Sequence, residues 1–345
     1  MRLSKKFGRL PGTERQSYFN TLPNYRDGQF QNPVFTPALA EGVGMTKVLL
    51  GFLSKYPDTV PAKEIPSVMT DLKNLNISEN VLVWFGHSSY FIQTDGCRIL
   101  VDPVFSGNAS PVPGSVKAFA GSDRYGAGDM PGIDVLLISH DHWDHLDYTT
   151  ILQLSDKVDK VICGLGVGQH FEYWGWDKTK LIEKNWNERV DCGKDCSVTL
   201  TPARHFSGRT LARNTSLWTS FVLQTPSRRL FLGGDSGYGP HFKDIGAQFG
   251  PFDLAILECG QYNSKWPYIH SFPEEVITEA MELGARNFMP VHHSKFRLAR
   301  HPWYEPLEKV SGFAEDKGLS AITPMIGEKV NMDNMEKTWN KWWRQ

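Results

Sequence analysis

From Val81 onward the chain is a series of short apolar runs broken by Gly, Asp, Asn and Pro. VLVWFG (81–86), DVLLIS (134–139) and VICGLG (161–166) are nearly unbroken apolar runs of strand length, as strands buried on both faces require. YFIQT and CRILVD flank Asp95-Gly96, a step that supplies the positive φ angles of a tight hairpin turn. SVTLTPA, SLWTSFVLQT, RRLFLGG and FDLAILE extend the strand series. Helical stretches intervene. One is PEEVITEAMEL (273–283), with Pro in its first turn and acidic residues at its N-terminal end. Two successive strand sets with helices interspersed predict a layered α/β sandwich, not a single doubly wound sheet.

Upstream the pattern weakens. Residues 1–40 are rich in Pro, Asn, Gly and aromatics and show no period. They predict an arm that wraps a core or stays partly disordered. Residues 41–56 place Met45, Val48, Leu49, Phe52 and Leu53 at helical spacing. That suits a helix docked on its own domain, or a segment that touches lipid. The division expected is an N-terminal extension over 1–79 and a main domain over 80–345.

Charge and cysteine content narrow the function classes. The 37 Lys and Arg residues balance 38 Asp and Glu, a net charge of -1 over 345 residues. A polyanion binder draws its affinity from accumulated positive charge, so no nucleic-acid partner is expected. The five cysteines are odd in number and scattered, which is no disulfide framework. Cys192 and Cys196 lack a second Cys/His pair to complete a zinc site. The basic N-terminus has no apolar signal stretch, and no apolar run is long enough to span a bilayer. A cytoplasmic protein is expected, with peripheral membrane contact as an option. Trp339, Trp342 and Trp343, interleaved with Lys and Arg344, suit a membrane interface, the cap of a large core or a homodimer seam.

The chemistry sits where strands run out. DVLLIS leads into Ser139-His140-Asp141-His142-Trp143-Asp144-His145-Leu146-Asp147. On a helix, His140 and His142 would point about 200° apart. In an extended segment they share a face. Asp144 and His145 follow a turn and can aim at a neighbouring point. One loop thus offers two pairs of imidazole and carboxylate donors, enough to seed two adjacent cations. Such donors without thiolate suit zinc, with iron or manganese compatible. More ligands must come from elsewhere, and three strand ends offer them. These are Arg204-His205 after SVTL, Gly233-Gly234-Asp235 after RRLFL, and Val291-His292-His293 after RNFM.

This constellation, His140-x-His142-x-Asp144-His145 followed by His205, Asp235 and His292, resembles the metallo-β-lactamase superfamily. Within it, WFGHSSYFI, ILVDPVFS, ASPVPG, PGIDVLLISHDHWDHLD, PARHFSGR, RNTSLWTSF, GGDSGY and HSFPEEV are similar to the N-acyl-phosphatidylethanolamine-hydrolysing phospholipase D family. The L-ascorbate-6-phosphate lactonases share a less complete version. The likeness covers roughly residues 80–300. It implies a four-layer αββα sandwich with a site for two Zn2+ ions at one edge. His140, His142 and His205 would hold one ion and Asp144, His145 and His292 the other, with Asp235 bridging. Where the family usually has His-Trp-Gly-Thr, this chain has His292-His293-Ser294-Lys295. His293 therefore competes with His292 for the ligand position.

The resemblance implies hydrolysis by a metal-activated hydroxide, with Asp144 orienting it or taking its proton. His270 would approach the substrate headgroup and protonate a leaving alkoxide or hold a phosphate oxygen. Arg209 and Arg213 would fork onto a phosphate, Lys295 would tune anion binding and Tyr238 would line the pocket. Asp147 would orient a ligand imidazole or cap a helix, and His87 would support the ligands without being one. The activity expected is phosphodiester hydrolysis of phospholipase D type on a small-molecule or lipid substrate. The alternative is hydrolysis of a lactone, ester or phosphorylated metabolite on the same site.

Overall fold

The computed structural model describes residues 5–44, 46, 48, 51 and 56–344. Two mixed sheets face each other. The first contains β3 (Val81–Trp84), β4 (Tyr90–Thr94), β5 (Cys97–Val101), β6 (Ile133–Ile138), β7 (Val158–Gly164), β8 (Leu181–Lys184) and β15 (Lys329–Asn331), in the order β15-β3-β4-β5-β6-β7-β8. The second contains β9 (Arg189–Gly193), β10 (Cys196–Thr201), β11 (Ser220–Gln224), β12 (Arg229–Leu232), β13 (Leu254–Glu258) and β14 (Phe288–Val291), in the order β14-β13-β12-β11-β10-β9. Each sheet begins antiparallel and continues parallel: β3, β4 and β5 alternate before β5–β8 align, and β9–β12 alternate before β12–β14 align. The β4–β5 hairpin turns at Asp95 and Gly96, with φ of 49° and 74°.

The period of two sorts side chains between layers. Leu82, Trp84, Val135 and Leu137 face Phe221, Leu223, Leu230 and Ile256 in the core between the sheets. The alternate residues Val83, Leu136 and Ile138 pack outward with α2 (Tyr148–Leu154) and α3 (Gly168–Trp174). Val222, Phe231 and Ala255 pack outward with α4 (His241–Phe249), α5 (Pro273–Glu282) and α6 (Glu305–Asp316). The fold is therefore the four-layer αββα sandwich. Both faces of each sheet are covered, which is why its strands read as apolar runs.

The N-terminal arm carries α1 (Thr13–Phe19) and a small hairpin of β1 (Tyr25–Arg26) and β2 (Gln29–Phe30). Phe19, Tyr25 and Phe30 are buried against Leu165, Leu217 and Trp218 of the main body. In the apolar segment 41–56, Val48 packs with Trp266 and Ala299. Met45, Leu49, Phe52 and Leu53 lie outside the described residues. SLWTSFVLQT enters the sheet only at Ser220, because Leu217 and Trp218 turn to meet the arm.

The C-terminal tryptophans are core residues. Trp339, Trp342 and Trp343 are buried in the inter-sheet cluster. The Trp342 indole N–H donates to Thr323 O at 3.2 Å, and that of Trp343 to Glu308 Oε2 at 2.8 Å. The membrane-interface reading of this tail is thereby corrected: the rings close one end of the sandwich. The five cysteines are free and buried, and Cys192 and Cys196 point into the core. Among the described residues no helix is long and apolar enough to cross a membrane.

Candidate metal centre

Strands β3, β5, β6, β10, β12, β13 and β14 all run toward one edge of the sandwich, and the polar cluster forms where they stop. The loop after β6 brings His140, His142, Asp144 and His145. The ends of β10, β12 and β14 bring His205, Asp235 and His292, and the end of β3 brings His87. Gly234 makes the approach possible. Its φ is 61°, and a Cβ there would sit 2.8 Å from Ser139 Cβ and 2.9 Å from Thr219 O.

Two donor groups with no residue in common result, and a third, of Asp235, Glu258, His270 and His292, overlaps both. His140, His142, His205 and Asp235 offer atoms within 4.8 Å of one another, as do His87, Asp144, His145 and His292. Asp235 lies between them. Its Oδ2 is 3.8 Å from His140 Nε2 and 3.6 Å from His205 Nε2. Its Oδ1 is 3.1 Å from His145 Nε2 and 3.2 Å from His292 Nδ1. The neighbouring His293 turns away, with Nδ1 on Ser294 Oγ and Nε2 on Pro290 O.

These groups fit cations better than they fit one another. His142 Nδ1 lies 2.8 Å from His140 Nε2 and 3.3 Å from His205 Nε2. Three ring nitrogens converge there, and a single proton cannot satisfy them all. His145 Nε2, His292 Nε2 and Asp235 Oδ1 are buried without hydrogen-bond partners among the described residues. Such orphans are costly unless an ion completes them. Burial holds His140, His205 and His292 well below the usual histidine range, with neighbouring histidines adding to the effect on His140 and His292. Their lone pairs are therefore available. For His145 burial acts downward, but Asp235, Asp144 and Asp102 outweigh it and raise it well above that range. A cation at that point would take the place of the proton. For Asp235 burial acts upward, but His145 and His205 outweigh it and bring the carboxyl down to about 2.

Hydrogen bonds behind the rings of His145 and His205 set which of their nitrogens faces the centre. His145 Nδ1 donates to Asp102 Oδ2 at 2.8 Å, and Ser139 Oγ donates to the same oxygen at 2.5 Å. His205 Nδ1 donates to Ile269 O at 2.8 Å. Ser88 Oγ is 2.9 Å from His292 Nδ1, and His87 Nε2 is 2.9 Å from Asp144 Oδ2. His270, on the loop after β13, lies with its ring 5.2 Å from that of His292 and 5.1 Å from that of His205. Its Nδ1 is 2.8 Å from Glu258 Oε2, and Nε2 has no hydrogen-bond partner among the described residues.

Four expected roles do not match the structure. Arg209 is 4% exposed. Its guanidinium donates to Asp141 O, Leu146 O and Lys6 O and lies 3.9 Å from the Trp143 ring centre. It braces the ligand loop from behind instead of facing an anion. Lys295 is buried and spends its ammonium on Val104 O, Phe85 O and Asp123, none of them a donor residue. Tyr238 packs on the outer helix layer, its hydroxyl donating to Glu282 Oε1 at 3.0 Å. Asp147 caps α2 and accepts from Thr149 N and Ser106 N, and it touches no imidazole. The imidazole-orienting role falls instead to Asp102, at the end of the run ILVD. Asp141 was also missed. It is buried and accepts from Gly208 N and Ser216 Oγ, which fastens the ligand loop to the loop of His205.

Comparison with known proteins agrees with this geometry. The chain belongs to the metallo-β-lactamase superfamily: residues 97–293 match the family described as Beta-lactamase superfamily domain. It is a metal-dependent hydrolase of that class. Among curated proteins it is similar to an uncharacterised protein of Mycobacterium tuberculosis, 37% identical over 93% of this chain and 87% of that one. It is also similar to N-acyl-phosphatidylethanolamine-hydrolyzing phospholipase D 1 of Caenorhabditis elegans, 30% identical over 71% of this chain and 74% of that one. The mitochondrial protein of the same description from Saccharomyces cerevisiae is 34% identical over 72% of this chain and 55% of that one. Among solved structures, the metallo hydrolase Igni18 of Ignicoccus hospitalis superimposes with a TM-score of 0.57 at 20% identity, over 73% of this chain and 98% of that one. The diiron β-hydroxylase CmlA of Streptomyces venezuelae gives 0.58 at 19% identity, over 74% of this chain and 54% of that one. At such identities the likeness is one of fold.

Proposed function

We propose that this protein hydrolyses a phosphodiester of a lipid-like substrate, in the manner of a phospholipase D, at a centre for two divalent cations. The observation that carries the reading is the pair of donor groups sharing Asp235, whose two oxygens face opposite sets of imidazoles. His140, His142 and His205 would hold one cation, and Asp144, His145 and His292 the other. Zinc suits this donor set, with iron or manganese compatible. When bound, such ions lower the pKa of water and offset the negative charge that builds on a phosphoryl group.

The chain's own residues then divide the work. Asp144, whose Oδ2 is held by His87, would orient the attacking water or take its proton. His270, oriented by Glu258, presents Nε2 for donation to the departing alkoxide. With Arg209 turned away, Arg213 would keep the phosphate-binding role expected of both. Its guanidinium lies 5.1 Å from the Phe206 ring, which in turn packs on His142 and His205. Leu211 on the same loop is fully exposed. Similarity to two phospholipases at 30–34% identity favours phosphodiesters over lactones.

The test is metal analysis of the purified protein followed by parallel assays on a phosphodiester panel and a lactone panel. Chelator-sensitive turnover of phosphodiesters is expected. Turnover of lactones alone would replace this reading with the lactonase one.

A further inference from the structure

We propose that Asn32, on the N-terminal arm and outside the family-matched segment, is a positioning residue for the metal centre that fixes the main chain of His205. This inference rests on the metal-centre reading above. The Asn32 side chain spends both of its polar groups on one residue. Nδ2 donates to His205 O at 2.8 Å, and Oδ1 accepts from His205 N at 3.0 Å. Oδ1 also accepts from Trp218 Nε1 at 3.1 Å. His205 lies beyond the end of β10, where the sheet ladder no longer supplies main-chain partners. Asn32 stands in for the missing strand. With the ring held by Ile269 O, the direction of His205 Nε2 is set at both ends of the residue.

The arm is well enough anchored to act as a fixed support. Phe30 is fully buried beside Trp218, and its N–H donates to Asn214 O at 2.8 Å. Beyond Asn32, Arg204 donates to Thr36 Oγ1 at 3.0 Å and to Phe35 O at 3.3 Å. The same arm reaches the other ligand loop. Arg9 N donates to His170 Nδ1 at 3.1 Å, so His170 Nε2 carries the proton and donates to Asp141 Oδ2 at 3.2 Å. A glycine is required at that crossing: Gly8 has a φ of 72°, and a Cβ there would lie 1.9 Å from His170 Nδ1. Residues outside the catalytic sandwich thus complete the support of both ligand-bearing loops.

The experiment titrates metal-stripped full-length protein with Zn2+ and Co2+ against a chromogenic chelator, comparing wild type with Asn32→Ala and Asn32→Asp. Wild type is expected to bind two cations. In Asn32→Ala one cation should keep its affinity and the other weaken about tenfold to a hundredfold, the range seen when support behind a ligand is lost. The visible spectrum of the Co2+ form should change, a readout that a fall in stability alone does not move. Asn32→Asp keeps both acceptor contacts and loses the donated one, so it should weaken the same cation. Unaltered affinities in folded Asn32→Ala would overturn the role of Asn32, and so would equal weakening of both cations, which marks a general scaffold residue. If Asn32→Ala does not fold, an unaltered Asn32→Asp overturns it. Failure of wild type to bind any cation would instead overturn the metal-centre reading.

Discussion

Arg209 separates a structural brace from a substrate contact, and the two roles predict opposite results for Arg209→Met. Methionine fills much of the aliphatic stem but removes the head that serves Asp141 O at 2.9 Å, Leu146 O at 2.7 Å and Lys6 O at 2.9 Å. Each such bond to a charged donor is worth about 1.5–3 kcal/mol. Simple addition overstates the loss, because the variant no longer has to bury a guanidinium. Leaving a buried carbonyl without a partner costs about 1–3 kcal/mol, so a loss of about 3–5 kcal/mol is expected for the three together. An unfolding entropy of about 2.1 cal/mol/K per residue over 345 residues makes 1 kcal/mol roughly 1.4 °C, so the melting temperature should fall by about 4–7 °C. Thermal melts measure this, with KM determined below the new transition. A brace predicts the lower midpoint with little change in KM. An unchanged midpoint with a tenfold rise in KM would show that Arg209 binds substrate and would refute the reasoning.

Three further outcomes follow from contacts described above. Asp102→Ala should lower metal affinity about tenfold to a hundredfold by freeing His145, as measured by equilibrium dialysis; full occupancy would remove Asp102 from the site's support. Trp342→Ala should cost about 3–5 kcal/mol in urea unfolding while leaving vesicle binding unchanged, and a variant that loses vesicle binding at full stability would restore the membrane role. Burial, with Arg204 adding to it, pulls His241 from 6.5 to about 3. The unfolded chain therefore takes up a proton first as pH falls, and stability is lost between pH 6.5 and 3 by up to about 1.4 kcal/mol per pH unit. His241→Asn should flatten that slope, and an unaltered slope would place the titration elsewhere.

How much was legible in the chain follows from how locally each feature is encoded. The hairpin at Asp95-Gly96 and the buried strands are written in adjacent residues, so pattern alone finds them. β8 and β15 are short and half polar, and only their neighbours make them strands. The donor residues stand out because imidazole and carboxylate side chains at strand ends have few other uses. Their supports do not. Asp102 looks like any acid after a strand, and Asn32 like any turn residue. Arg209 shows the limit most clearly. An arginine four residues after a ligand histidine invites an anion-binding role, and only the fold reveals that it faces three carbonyls. Asp147 carried both a capping and an orienting reading, and Thr149 and Thr150 decided it by proximity.

The two sheets divide the donors between them. His87 and the 140–145 loop extend from the first sheet, and His205, Asp235 and His292 from the second. Neither sheet holds a complete set, so cation capture reports that the halves have closed on each other. During synthesis the cradle cannot exist until residue 292 has left the ribosome, so metal acquisition would wait on the second sheet. From then on an ion that binds the closed sandwich resists its opening, with a contribution that rises with free metal concentration. A bound cation would thereby serve the fold as well as the chemistry.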